Sequence, residues 1–271
     1  MMAHILSGVN ECEIIKSLAN ILNTTPEEIK TFVMSQHFRV KCEGISWTYD
    51  KLELEHILSY FGIKPSEINL SGITVSHVAA IMDKESFIQQ GLLSLHSLFS
   101  TENTVRSFLK EHGITVESHA DGSLRILVNG VPASTEYLDN RLKRDRCING
   151  FLFGDDPEKD RNISHIKECP EFISHMGREL LHTARFEEEW VARSILSVIT
   201  FQATIEEIDL STYYTEFKDS IEMNRAFFVL KAFERLLLKE TGYPGNNLMV
   251  YLKENINISA ERIIQIREIT R

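Results

Sequence analysis

The chain has 271 residues, a formal net charge of −10 and an apolar share of 43%. That is enough to bury one large core, or a core with a smaller extension, and it argues against general adhesion to phosphate backbones or anionic membranes. No apolar run is long enough to cross a bilayer, and the opening MMAHILSGVNECEIIK lacks the basic start and long apolar centre of a secretion signal, so a cytoplasmic protein with no membrane partner is expected.

Taken in chain order, residues 11 to 62 read as helices. ECEIIKSLANIL carries apolar residues at helical spacing. NTTPEEIKTFVM offers Thr25 as an N-cap with Pro26 behind it, and SWTYDKLELEHILSYFGI runs to a stop at Gly62. Residues 1 to 66 are therefore expected to form an N-terminal helical extension. The texture changes after Pro65. INLSGITVSHVAA is β-branched and reads as a strand, followed by a helix from about Asp83 to Gln90 that closes at Gly91. TENTVRSFLKEHGI is a capped helix, and TVESHADGSLRILVNGVPAS alternates around Asp121 and Gly122 as a hairpin.

STEYLDNRLKRDR is helical and locally basic, and CINGFLFGDDPEKD is a short apolar strand entering an acidic turn. Residues 170 to 192 read as helix, ILSVITFQATIEEI as a strand, and SIEMNRAFFVLKAFERLLLKETG as the most periodic helix of the chain. The end gives a strand, a turn and a second strand or short helix. Strands and helices are interspersed without regular β-α-β alternation, which places the chain in the α+β class with residues 67 to 271 as its main domain.

Four cysteines, Cys12, Cys42, Cys147 and Cys169, are scattered with no C-x-x-C pair, so neither a disulfide framework nor a zinc ribbon is indicated. His165, Cys169, His175 and His182 match no common zinc spacing and are read as ordinary surface and core residues, so no metal is expected. The Walker phosphate loop, the dinucleotide glycine fingerprint, the G-x-S-x-G elbow and the H-E-x-x-H helix are all missing.

Three fragments in one order carry a resemblance. His77-Val78-Ala79 ends a strand and is followed at a fixed interval by Gly91-Leu92. Gly150-Phe151-Leu152-Phe153-Gly154-Asp155 forms the second, and Asn246-Asn247-Leu248-Met249-Val250-Tyr251 the third. Together they resemble the ADP-ribosyltransferase fold, in the branch that holds diphtheria-type toxins and the poly(ADP-ribose) polymerases.

The resemblance implies a split antiparallel β core with flanking helices, and NAD held as substrate in a cleft between two small sheets. It implies that His77 bonds the adenosine ribose, that the Val78 backbone grips the nicotinamide amide, and that Gly150, Phe151, Leu152 and Phe153 form the opposite wall. It further implies transfer of ADP-ribose to a protein or nucleic-acid acceptor with release of nicotinamide, in a toxin or phage-defence setting with an antitoxin or regulatory protein as partner. Two signature positions depart from the family. Leu152 stands where a tyrosine stacks on nicotinamide, and Asn247 where a glutamate steadies the ribosyl cation, so Glu240 or Glu254 is expected to supply a carboxylate if the chain is active. A catalytically inactive binding or regulatory module is the alternative.

Overall fold

The helices start where short polar side chains meet an apolar run. Asn10, Thr25, Asp83, Ser94, Asn103, Thr135 and Ser220 each accept a hydrogen bond from a backbone N–H in the first turn that follows, satisfying a donor the helix leaves open. At Thr25 the cap is reciprocal, with the Glu28 side chain accepting from the Thr25 N–H. The computed structural model of the protein describes residues 4–43, 46–119, 123–155, 157, 163, 166–167, 169–211, 220–241 and 247–270.

The strands of the main sheet are β1 (Ile5–Leu6), β4 (Gly72–Ile81), β8 (Asn149–Phe151), β9 (Ile195–Thr204), β10 (Met249–Tyr251) and β11 (Ile263–Glu268). Their order is β10-β8-β4-β9-β11, with β1 added beside β4. β4 runs antiparallel to β8, and β9 antiparallel to β11, while β1 is parallel to β4. A hairpin, β2 (Val40–Glu43) with β3 (Ser46–Tyr49), and a three-stranded sheet of β5 (Ile114–Ser118), β6 (Leu124–Val128) and β7 (Val131–Pro132) complete the strands. The chain is thus mixed α and β with antiparallel sheets. The three fragments that carry the resemblance fall on β4, on β8 with the residues just after it, and on β10 with the residues just before it. Asn246 and the 242–245 turn lie outside the described residues, as does the expected hairpin turn at Asp121 and Gly122.

Two compact units divide the chain. The first holds Met1–Ser76, Phe151–Asp155 and Gln202–Val250. Its core is built on the helix Ile221–Glu240, which buries Phe227, Phe228 and Phe233. The helices Glu11–Ile21, Pro26–Ser35 and Leu54–Phe61 all pack against it. Phe32 meets Phe233 edge to face at 5.1 Å, and Phe61 lies 5.8 Å from the same ring. Truncating a ring so placed costs about 3–5 kcal/mol. The residues before 66 therefore share a core with Ile221–Glu240, a grouping that a boundary drawn in chain order does not convey. The helical reading of 46–49 is corrected: SerTrpThrTyr is strand β3, in register with β2 from Val40↔Tyr49 to Glu43↔Ser46. Aromatic and β-branched side chains favour the pleated conformation here over the helical period that begins only at Leu54.

The second unit holds His77–Gly150, Asp156–Phe201 and Tyr251–Arg271. Its core gathers Phe108, Ile114, Ile126, Leu138, Phe172, Phe186 and Trp190. Gly91 ends the helix Lys84–Gln90 at φ 79°, and a Cβ there would stand 2.0 Å from the Ile258 carbonyl oxygen, so the close pairing of Leu92 with Ile258 requires glycine.

Candidate functional site

His77 sits in β4 at the position the resemblance singles out. Its Nδ1 lies 2.6 Å from the carbonyl oxygen of Asn149. A carbonyl only accepts, so Nδ1 carries the proton and the tautomer is fixed. Burial pushes the His77 pKa down, against a smaller upward pull from the Asn149 bond, so the ring is neutral near physiological pH. Among the described residues no hydrogen bond reaches Nε2, which is left as an acceptor for a hydroxyl or amide donor. Val78, next along β4, is buried.

Asn247 is engaged at both ends of its amide. Its Nδ2 donates to the Phe153 carbonyl at 2.6 Å, and the Phe153 N–H donates to its Oδ1 at 3.1 Å. The next residue continues the pairing through its backbone, with the Leu152 N–H donating to Leu248 O at 2.9 Å. The carboxamide thus imitates one further residue of the ladder between the β8 and β10 segments. A glutamate could accept from the Phe153 N–H but could not donate to its carbonyl.

The segment expected to wall the cleft is buried: Phe151, Leu152 and Phe153 are 1%, 0% and 3% exposed, and Gly150 is buried as well. Their burial is set by residues distant in the chain. Residues beside β1 clamp the segment: Gly154 N–H donates to Gly8 O at 2.7 Å, and Gly8 N–H donates to the Thr74 hydroxyl at 2.7 Å. A Cβ on Gly8 would stand 1.9 Å from Leu152 O, so this approach too needs glycine.

Of the two replacement carboxylates, Glu240 is the exposed last residue of the long helix in the first unit, and Glu254 is exposed in the turn after β10 in the second. Neither forms a salt bridge among the described residues. His77 and Asn247 likewise fall in different units.

An ion network beside Phe153 was not foreseen. Arg235 donates to Asp155 at 2.9 Å and stands 5.5 Å over the Phe153 ring, while Lys239 reaches Asp155 at 3.4 Å and Glu11 at 3.3 Å. Its trace in the sequence is Arg235 and Lys239, four apart and so on one face of the helix Ile221–Glu240. In the basic helix Glu136–Arg144, Arg141 is held by Asp145 at 2.7 Å and faces Glu171 at 3.8 Å, which engages one cation of the RLKRDR cluster. Tyr137 on the same helix is pushed up to about 12 by its burial and by Glu171. Among the described residues no group of three or more histidine, cysteine or carboxylate side chains could hold a metal ion, and no helix is long and apolar enough to cross a membrane; His165 lies outside those residues.

No family model, no curated protein and no solved structure matches the chain.

Proposed function

We propose that the chain is a non-catalytic member of the ADP-ribosyltransferase fold, a module that binds NAD or its ADP-ribose portion and serves a toxin or defence system as a binding or regulatory protein. Support for the fold comes from the three resembling fragments, which lie on or beside the neighbouring strands β10, β8 and β4. The observation that carries the non-catalytic form is the double bond pattern at Asn247. A developing ribosyl cation calls for negative charge, and removal of one such electrostatic group costs roughly a hundredfold or more in rate. Here the position holds an uncharged amide whose two polar atoms are both bound to backbone. Nucleotide binding rests on His77, whose neutral ring keeps Nε2 available while Nδ1 is fixed on Asn149.

The test uses the purified full chain. Calorimetric titration with NAD and with ADP-ribose is expected to show saturable binding. Incubation with labelled NAD and a cell extract is expected to release no nicotinamide and to leave protein, DNA and RNA unlabelled. Label entering any of these would restore the transferase reading, with a protein or nucleic-acid acceptor. No binding of either nucleotide would remove the resemblance as a guide to function.

A further inference from the structure

The basic helix Glu136–Arg144 ends in Lys143 and Arg144, and Asp145 and Arg146 follow it. Arg141 and Asp145 hold each other, but among the described residues no carboxylate pairs with Lys143, Arg144 or Arg146. Lys143 and Arg144 are exposed in the last turn, where the negative end of the helix dipole is reason enough for a cation. Arg146 lies beyond the helix and has no such reason. It is half-buried, and its Nε is buried with no hydrogen-bond partner among the described residues. A buried guanidinium N–H left open calls for an acceptor.

A second free cation stands beside it. The Leu252 N–H donates to Ile148 O at 2.8 Å and the Asn255 N–H to Arg146 O at 2.9 Å, so the turn that carries Lys253 lies along the 146–148 segment. Lys253 is exposed and likewise has no ion pair among the described residues, and the one carboxylate of that turn, Glu254, is exposed and screened by solvent. The same stretch of chain leads to Asn149, whose carbonyl fixes His77 and leaves its Nε2 open. Arg146 precedes Asn149 by three residues, a span of no more than about 11 Å, which falls within the length of an ADP-ribose molecule. All of these residues belong to the second unit. We propose that Arg146 and Lys253 bind the diphosphate of the nucleotide whose hydroxyl group meets His77 Nε2, an inference that rests on the nucleotide-binding reading above. The planar guanidinium can donate to two phosphate oxygens at once, and the lysine adds a point charge beside it. Two unspent cations let a chain of net charge −10 accept an anionic ligand at this one place.

The test titrates the full chain with ADP-ribose by calorimetry, alone and with inorganic pyrophosphate as competitor, at low and at high salt. Wild-type binding is expected to weaken as salt rises and to be displaced by pyrophosphate. Arg146→Gln and Lys253→Gln are each expected to bind ADP-ribose roughly tenfold more weakly and to respond less to salt. Arg146→Lys, which keeps the charge, is expected to recover part of the loss. A melting temperature equal to wild type separates a lost contact from a lost fold, and Lys253, being exposed, carries the test even where Arg146→Gln is unstable. Unchanged ADP-ribose affinity in Lys253→Gln, or pyrophosphate that fails to displace the nucleotide, would overturn the proposal and leave the nucleotide reading standing. A wild-type chain that binds no ADP-ribose would instead strike that reading, and this site with it.

Discussion

His77 and Asn247 occupy two of the positions through which the chain resembles the transferase fold, and both side chains bond to backbone. The difference is in what remains. Asn247 gives its donor and its acceptor to one residue, Phe153, and keeps neither end of its amide unbonded. His77 gives its one N–H to Asn149 and keeps Nε2. A position whose side chain has become part of the ladder is held by folding, whereas a position with one polar atom left over can still meet a ligand. The two positions thus differ in what they leave for a ligand.

The strongest way to break the comparison is at Asn247. Replacement by Glu removes the donor to the Phe153 carbonyl and sets a carboxylate near it, while replacement by Ala leaves both Phe153 groups unpaired. Each is expected to cost about 1–3 kcal/mol, with Glu the worse, as measured by urea denaturation with an unchanged slope. No gain of NAD turnover is expected in either. A Glu variant as stable as wild type that also hydrolyses NAD would mean that the position is a degenerate catalytic one and that its backbone pairing is incidental.

His77→Ala sharpens the other side. Loss of a neutral hydrogen bond is expected to weaken NAD binding by about 2- to 12-fold, corresponding to about 0.5–1.5 kcal/mol, read by calorimetry. A lowered melting temperature with unchanged NAD affinity would make His77 structural as well. Acid adds an independent reading. The folded pKa of His77 lies below its unfolded value, so the folded chain binds fewer protons. Its stabilising contribution is therefore whole above the unfolded value of about 6.5 and is lost as pH falls from there towards the lower folded value. In His77→Gln, which keeps an N–H for Asn149, stability is expected to fall less steeply below about pH 6.5, as seen in melting temperatures across a pH series.

Most of the element order was legible in the sequence because it rests on local chemistry. Thr25 with Glu28, Asp83 with Gly91 and Ser220 before a twenty-residue apolar period mark helix ends by their own hydrogen-bonding needs. The β2–β3 hairpin was missed since four residues of strand precede a helix whose periodicity, read backwards, absorbs them. The site was legible in outline only. Which fragments become strands is a local matter, but the burial of Phe151, Leu152 and Phe153 depends on Gly8, more than 140 residues earlier. The pairing of Asn247 depends on Phe153, 94 residues away. No spacing rule carries contacts of that range, so a residue type at a motif position did not reveal whether its polar atoms were free.

The smallest effect is expected at Glu240 and Glu254, and it separates a binding module from a transferase with a displaced charge. Both carboxylates are exposed, where substitution changes stability by no more than about 0.5 kcal/mol. Glu240→Gln and Glu254→Gln should therefore leave the melting temperature in place whichever reading holds, so any change in NAD chemistry is free of folding effects. In a binding module neither charge has a cation to steady, and NAD affinity, nicotinamide release and labelling of acceptors are all expected to match wild type. If wild type releases nicotinamide and one of the two variants loses that activity while still binding NAD, the lost carboxylate acts on the reaction itself, because a group that only attracts substrate alters binding before turnover. That result would assign the charge missing at Asn247 to a residue on a different element, and the amide at 247 would then be the scaffold of a working site.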